Sequence, residues 1–125
     1  MNEQKKQILV IDDEPAWLRI VSYFLNNQGY EVTAAESGFE ALKRLKQFTP
    51  DLILSDIRMP DMNGFDLLQN VKKLPATAST PIVFFSAIDD IDARKTAKQL
   101  GATDYIVKPF DEQEVSNVLA KYFPK

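Results

Sequence analysis

Neither histidine nor cysteine occurs among the 125 residues of this chain. Any reaction it carries must therefore use carboxylates, hydroxyls, phenols or ammonium groups. Imidazole bases, thiolate nucleophiles, thiolate metal sites and disulfides are excluded together. The residues left for chemistry follow a pattern. Asp12-Asp13-Glu14 follows the apolar run Ile8–Ile11, Ser55-Asp56 follows Leu52–Leu54, Ser86 follows Ile82–Phe85, and Lys108-Pro109 follows Tyr105–Val107. Carboxylates ~4 Å apart repel by ~4 kcal/mol per pair at an effective dielectric of ~20. A fold that gathers Asp12, Asp13 and Asp56 needs a cation to neutralise them. Oxygen ligands alone favour Mg²⁺ or Mn²⁺ over zinc, and no EF-hand spacing occurs. A metal, the Lys108 ammonium and the Ser86 hydroxyl around one further carboxylate suit a phosphoryl group, whose oxygens need such partners.

Taken singly, each of these residues has a plainer reading. Asp13 or Glu14 caps the helix that opens at Pro15, Asp56 begins a turn, Ser86 bonds a carbonyl, and Lys108 is a solvated lysine. Those readings do not require all of them to stand at the ends of apolar runs.

The elements that must position them alternate regularly. Ile8–Ile11 reads as a buried parallel strand. Pro15 opens a helix carried by Trp17, Leu18, Val21, Phe24 and Leu25, with Gly29 as its C-cap. Glu31–Ala35 is a more polar strand, and Ser37 caps a helix with Phe39, Leu42 and Leu45 on one face. Leu52–Leu54 is the third strand, Met59–Gly64 a turn-rich loop, and Phe65, Leu67, Leu68, Val71 and Leu74 mark a third helix. Ile82–Phe85 is the fourth strand. A helix from Asp89 to Leu100 has a thin apolar face of Ile91, Ala93, Ala97 and Leu100. Tyr105–Val107 and a helix from Glu112 to Tyr122 complete the series. Five β-α units in alternation mean an α/β fold, a doubly wound parallel sheet with helices on both faces. The apolar strands one, three and four belong at its centre and the polar second strand at an edge. Right-handed crossovers then give the order 2-1-3-4-5, with ligands expected beyond the carboxyl ends of strands one and three.

Bulk properties limit the function further. A chain of this length forms one ordinary domain with a single core. Net charge is -3 and pI about 4.9, which argues against direct, non-specific nucleic-acid binding. No apolar run reaches the ~20 residues of a membrane helix. The polar start Met1–Gln7 does not follow the signal-peptide plan. The expectation is a cytoplasmic protein.

The chain resembles the receiver domains of bacterial two-component response regulators, of the CheY-like, flavodoxin-like type. The likeness runs from about Gln7 to Tyr122. It is carried by Ile8–Glu14, by Asp51–Pro60 with Gly64, by Pro81–Ala87, and by Gly101–Phe110, in order and at matching spacing. The resemblance implies one receiver domain over residues 1–125, a phosphoacceptor switch rather than an enzyme. Asp56 would attack the phosphorus of a phosphohistidine on a sensor histidine kinase or a histidine phosphotransfer protein. Asp13, Asp56 and the backbone carbonyl of Arg58 would ligate Mg²⁺, with Asp12 acting mainly through water. Lys108 would pair with phosphoryl oxygens, and Ser86 would bond another and move toward it. Tyr105 would then swing inward behind Ser86, changing the face offered to a downstream partner or output domain. The Lys108-Pro109 bond would be cis. Arg58 and Ile88 would flank the phosphoryl group. Trp17 reads as a core residue of the first helix; if it borders the site, Mg²⁺ should change its fluorescence.

Three rivals are weighed. A degenerate receiver that only binds partners would lack an acidic residue, the acceptor or the lysine, and all are present. A haloacid-dehalogenase-type phosphatase needs Asp-x-Asp-x-Thr/Ser after strand one, and Asp12-Glu14-Ala16 does not supply it. A flavin-binding relative needs a hydroxyl-rich first loop, where this one is acidic. The chain ends at Pro124-Lys125, soon after the last helix, which fits either a stand-alone receiver or part of a longer protein. The last helix carries no Arg, against the charge-paired dimer of winged-helix regulators.

Overall fold

In the computed structural model, which describes residues 5–86 and 91–124, strands and helices alternate. They are β1 Gln7–Ile11, α1 Pro15–Asn27, β2 Glu31–Ala35, α2 Gly38–Leu45, β3 Leu52–Asp56, α3 Gly64–Lys73, β4 Ile82–Ser86, α4 Ile91–Gln99, β5 Asp104–Val107 and α5 Glu112–Tyr122. The sheet is parallel throughout, in the order β2-β1-β3-β4-β5, as the apolar and polar runs require.

The strands' period of two builds the layers. Leu9, Ile11, Ile53 and Phe84 enter one core with Ala41, Leu45, Leu67, Leu68, Val71 and Ala97, which places α2, α3 and α4 on that face. Ile8, Val10, Leu54, Val83 and Phe85 enter the other with Leu18, Val21, Leu25, Val115 and Leu119 from α1 and α5. Strands β1, β3 and β4 are covered on both faces, so they carry no polar alternation.

Local chemistry fixes the helix ends. Pro15 occupies the first turn of α1, where its missing N–H costs nothing. Gln28 is the C-cap and Gly29 follows with φ +95°, the left-handed conformation that glycine adopts freely. The Ser37 hydroxyl accepts from the Glu40 amide at 3.0 Å. Asn63 with Asp66, and Asp111 with Glu114, form reciprocal capping boxes on α3 and α5.

Several boundaries and faces differ from the sequence reading. β3 extends through Ser55 and Asp56, and β4 through Ser86, because Asp56 pairs with Phe85 and Ser86 with Val107 in the ladder. Phe39, assigned to the inner face of α2, is 56% exposed; Gly38, Ala41 and Leu45 take that face. Leu74 is the exposed C-cap of α3. Ile91 is 71% exposed, and Ala97 alone is buried among the described residues of α4. Ala87, Ile88 and Asp89 lie outside the described residues.

The junction of β3 and α3 is built on Gly64. A Cβ there would stand 2.6 Å from the Asp56 carbonyl oxygen and 2.9 Å from the Ile57 Cα, and the Gly64 amide donates to the Ile57 carbonyl at 2.7 Å. Both close neighbours are backbone and cannot swing aside. Gly64→Ala is expected to lower stability by about 2 kcal/mol, read as a lower urea midpoint. An unchanged midpoint would mean that the junction opens without cost.

Candidate functional site

The register of the sheet brings distant residues to one edge. Ile11 pairs with Ser55, Asp56 with Phe85, and Ser86 with Val107. Asp12, Asp56, Ser86 and Lys108 therefore stand near one another at the carboxyl ends of four strands, where ligands bind in such sheets. The Lys108 amide donates to the Ser86 carbonyl at 2.6 Å, extending the ladder to the lysine itself. The Lys108-Pro109 peptide bond is cis.

Asp12 is fully buried. Its Oδ1 accepts from the Glu14 amide at 2.9 Å, and its Oδ2 lies 2.8 Å from Lys108 Nζ. The Glu14 side chain makes no cap for α1; Asp12 instead holds the loop ahead of the helix. Asp56 is buried, and its Oδ1 accepts from the Ile57 amide at 2.8 Å. Its Oδ2 lies 3.7 Å from Lys108 Nζ. One carboxylate oxygen each from Asp12, Asp13 and Asp56 lies within 4.8 Å of the others, with Asp13 the more open to solvent. This all-oxygen, anionic donor set fits a hard divalent cation.

Lys108 is only 5% exposed. Besides Asp12 and Asp56 it meets Glu14 at 3.8 Å, and its Nζ lies 4.9 Å from the ring centroids of both Trp17 and Phe85. Trp17 is thus not simply a core residue of α1. It is half-buried and borders the site, with its ring 5.4 Å from that of Phe110. Ser86 is buried at the end of β4. Tyr105 pairs with Phe84, two positions before Ser86 on the same face of the sheet, and the Arg94 guanidinium lies 5.3 Å from its ring. Arg58 is exposed, two residues past Asp56.

The structure brings Asp12, Asp13, Asp56 and Lys108 into one cluster and sets Ser86 at the same edge. Tyr105 stands further back along β5. The close approach that Gly64 permits and the placement of the two rings against Lys108 could not be read from the sequence. Both arise from contacts between segments far apart in the chain.

Burial pushes the Asp56 carboxyl up to about 6; the Lys108 ammonium opposes this, Asp12 adds to it, the Ile57 amide opposes it, and Asp13 adds to it. The ordinary value is 3.8, so folded Asp56 holds its proton more tightly than the unfolded chain does. Stability from this group is present at low pH and is lost as pH rises from about 4 to about 6. Asp56→Asn keeps an acceptor for the Ile57 amide and removes the charge. In metal-free buffer at pH 7.5 it should be more stable than wild type by about 1 kcal/mol or more. Urea unfolding across the range should show the difference closing near pH 4; a gap independent of pH would contradict this account.

Residues 8–120 match the family model of the response regulator receiver domain. The "Probable transcriptional regulator ycf27" of Porphyridium aerugineum is 41% identical over 112 residues, covering 90% of this chain and 45% of the relative. The signal transduction histidine-protein kinase BarA of Escherichia coli K12 is 33% identical over 94% of this chain and 13% of its own length. The chain thus spans less than half the length of these relatives. Among solved structures, the Vibrio cholerae chemotaxis protein CheY4 superposes with TM-score 0.91 at 31% identity, covering 95% of this chain and 99% of that one. The receiver domain of the Pseudomonas aeruginosa sensor histidine kinase PA1611, described with a magnesium ion in its active-site cleft, gives TM-score 0.88 at 25% identity over 98% of this chain and 100% of that one. No helix among the described residues is long and apolar enough to cross a membrane. With its sheet order, the acidic cluster at the carboxyl edge and the buried lysine, the chain belongs to the response regulator receiver domain family.

Proposed function

We propose that this chain works as one cytoplasmic, phosphorylation-operated switch domain of a two-component phosphorelay, with Asp56 as the phosphoacceptor. The observation that carries the reading is the buried Asp12–Lys108–Asp56 arrangement beside Asp13. An ammonium and a cluster able to hold a cation surround one carboxylate, and a transferring phosphoryl group needs such positive charge about its oxygens.

In the proposed reaction an oxygen of Asp56 attacks phosphorus, and the bond from phosphorus to the imidazole nitrogen of a kinase or phosphotransfer phosphohistidine breaks. The imidazole leaves with the electron pair, and an acyl phosphate remains on Asp56. The Ile57 amide fixes the plane of the carboxylate at 2.8 Å. Lys108 would pair with phosphoryl oxygens, and Ser86 would supply a hydroxyl from the next strand. Asp12, Asp13, Asp56 and the backbone carbonyl of Arg58 would hold Mg²⁺, with Mn²⁺ as substitute. When bound, that cation supplies positive charge for the phosphoryl oxygens and allows the carboxylates to remain ionised together. Asp56 must be ionised to attack, and the bound cation would favour that form against the burial that raises its pKa.

For the switch, Ser86 would draw toward the phosphoryl group and Tyr105 would follow it on the same face of the sheet. The change would be read on the side of α4, β5 and α5 by a downstream protein or an output domain. The domain would assist only its own phosphorylation and dephosphorylation.

Intact-protein mass spectrometry after incubation with acetyl phosphate tests the reading. One phosphoryl group should be gained with Mg²⁺, none in Asp56→Asn, and little when Mg²⁺ is withheld. Lys108→Met should slow the gain roughly a hundredfold. A folded wild-type protein that gains nothing would instead be a binding module that works without phosphate.

A further inference from the structure

Lys108 raises a physical problem. A lysine side chain loses up to ~2 kcal/mol of rotamer freedom when it is held in one position, and a buried ammonium must replace its water. Asp12 supplies one close partner at 2.8 Å; Asp56 and Glu14 stand at 3.7 and 3.8 Å. All three acidic groups draw the ammonium toward the cluster. On its flanks lie Trp17 and Phe85, each ring centroid 4.9 Å from Nζ, within the range where an aromatic face attracts a cation.

The two rings differ in position. Phe85 is a fully buried core residue of β4, and the sheet alone accounts for it. Trp17 is half-buried, near the start of α1. It also lines an open groove of about 310 Å³ with Ile20, Tyr23, Phe110 and Val115. Trp17 packs against the edge of the core and also borders both the groove and the ammonium, so core filling alone does not account for its contacts.

We propose that Trp17 is a positioning residue for Lys108. Its electron-rich face replaces water on the side of the ammonium that the carboxylates leave uncovered, and it blocks the rotamers that would carry the ammonium out along the groove. Lys108 is thereby held at the Asp12–Asp56 edge before any phosphoryl group arrives. This rests on the reading of Asp56 as acceptor; the placement of the ammonium against the indole does not.

Two measurements test it. In protein with ¹³C-labelled lysine, the Lys108 ε-CH₂ protons should resonate upfield of those of the other lysines, through the ring current, and move back toward them in Trp17→Leu. Wild-type Lys108 resonances inside the envelope of the others would overturn the proposal, and this reading needs no variant to fold. In the second, phosphorylation by acetyl phosphate at saturating Mg²⁺ should slow about tenfold in Trp17→Leu. Trp17→Phe, which keeps an aromatic face, should recover most of the rate. In a Lys108→Met background, Trp17→Leu should cause no further loss, because the indole acts through the lysine. An equal loss with and without Lys108 would show a merely structural role. Wild-type protein that is not phosphorylated at all would sink the acceptor reading, while the lysine resonances would still decide whether the indole holds the ammonium.

Discussion

The Lys108 ammonium lies 2.8 Å from a carboxylate that has no access to solvent, and the functional edge of the sheet is arranged around that contact. Asp12 comes from the end of β1 and Lys108 from the end of β5, so the ion pair spans the strands between them. Asp56 sits on β3 within reach of the same ammonium. Without Lys108, buried Asp12 and Asp56 would face each other with no cation from the chain. Breaking a buried pair in this way is strongly destabilising, because one charge stays buried alone. The amides of Glu14 and Ile57 hold the two carboxylates in fixed orientations.

This arrangement works against the stability of the fold. Burial, with Asp12 and Asp13 beside it, raises the Asp56 pKa to about 6, so holding its charge at neutral pH costs stability that a neutral residue would not. Gly64 shows the same priority in the backbone. Glycine loses more conformational freedom on folding than any other residue, yet only glycine allows α3 to approach the Asp56 carbonyl so closely. Local rules of good construction give way at the site and hold elsewhere, as in the paired capping boxes of α3 and α5.

Most of the architecture was legible in the chain because strands buried on both faces leave a strong mark. Ile8–Ile11, Leu52–Leu54 and Ile82–Phe85 are continuous apolar runs, and the polar residues that end them could be assigned to one edge. Strand ends leave less mark, since nothing local says that Asp56 pairs with Phe85. Phe39 and Ile91 were set inside because they are apolar and roughly in phase, whereas smaller neighbours, Ala41 and Ala97, take the inner positions. Trp17 was legible as part of a helix face. That Lys108 would lie on its ring depends on how β5 is placed against α1, which no local pattern encodes.

The two outer strands carry a further consequence. β2 begins at Glu31 and is followed by Glu36, and β5 has only four residues, with Asp104 tied to Lys121 at 2.9 Å and an arginine over Tyr105. Charged margins of this kind make a poor template for main-chain pairing by an incoming chain. Growth of the sheet by strand addition, the route to domain swapping and fibrils, is thereby disfavoured at both sides. Association of the folded protein is then left to side-chain contacts, which can be made and released without remodelling the sheet.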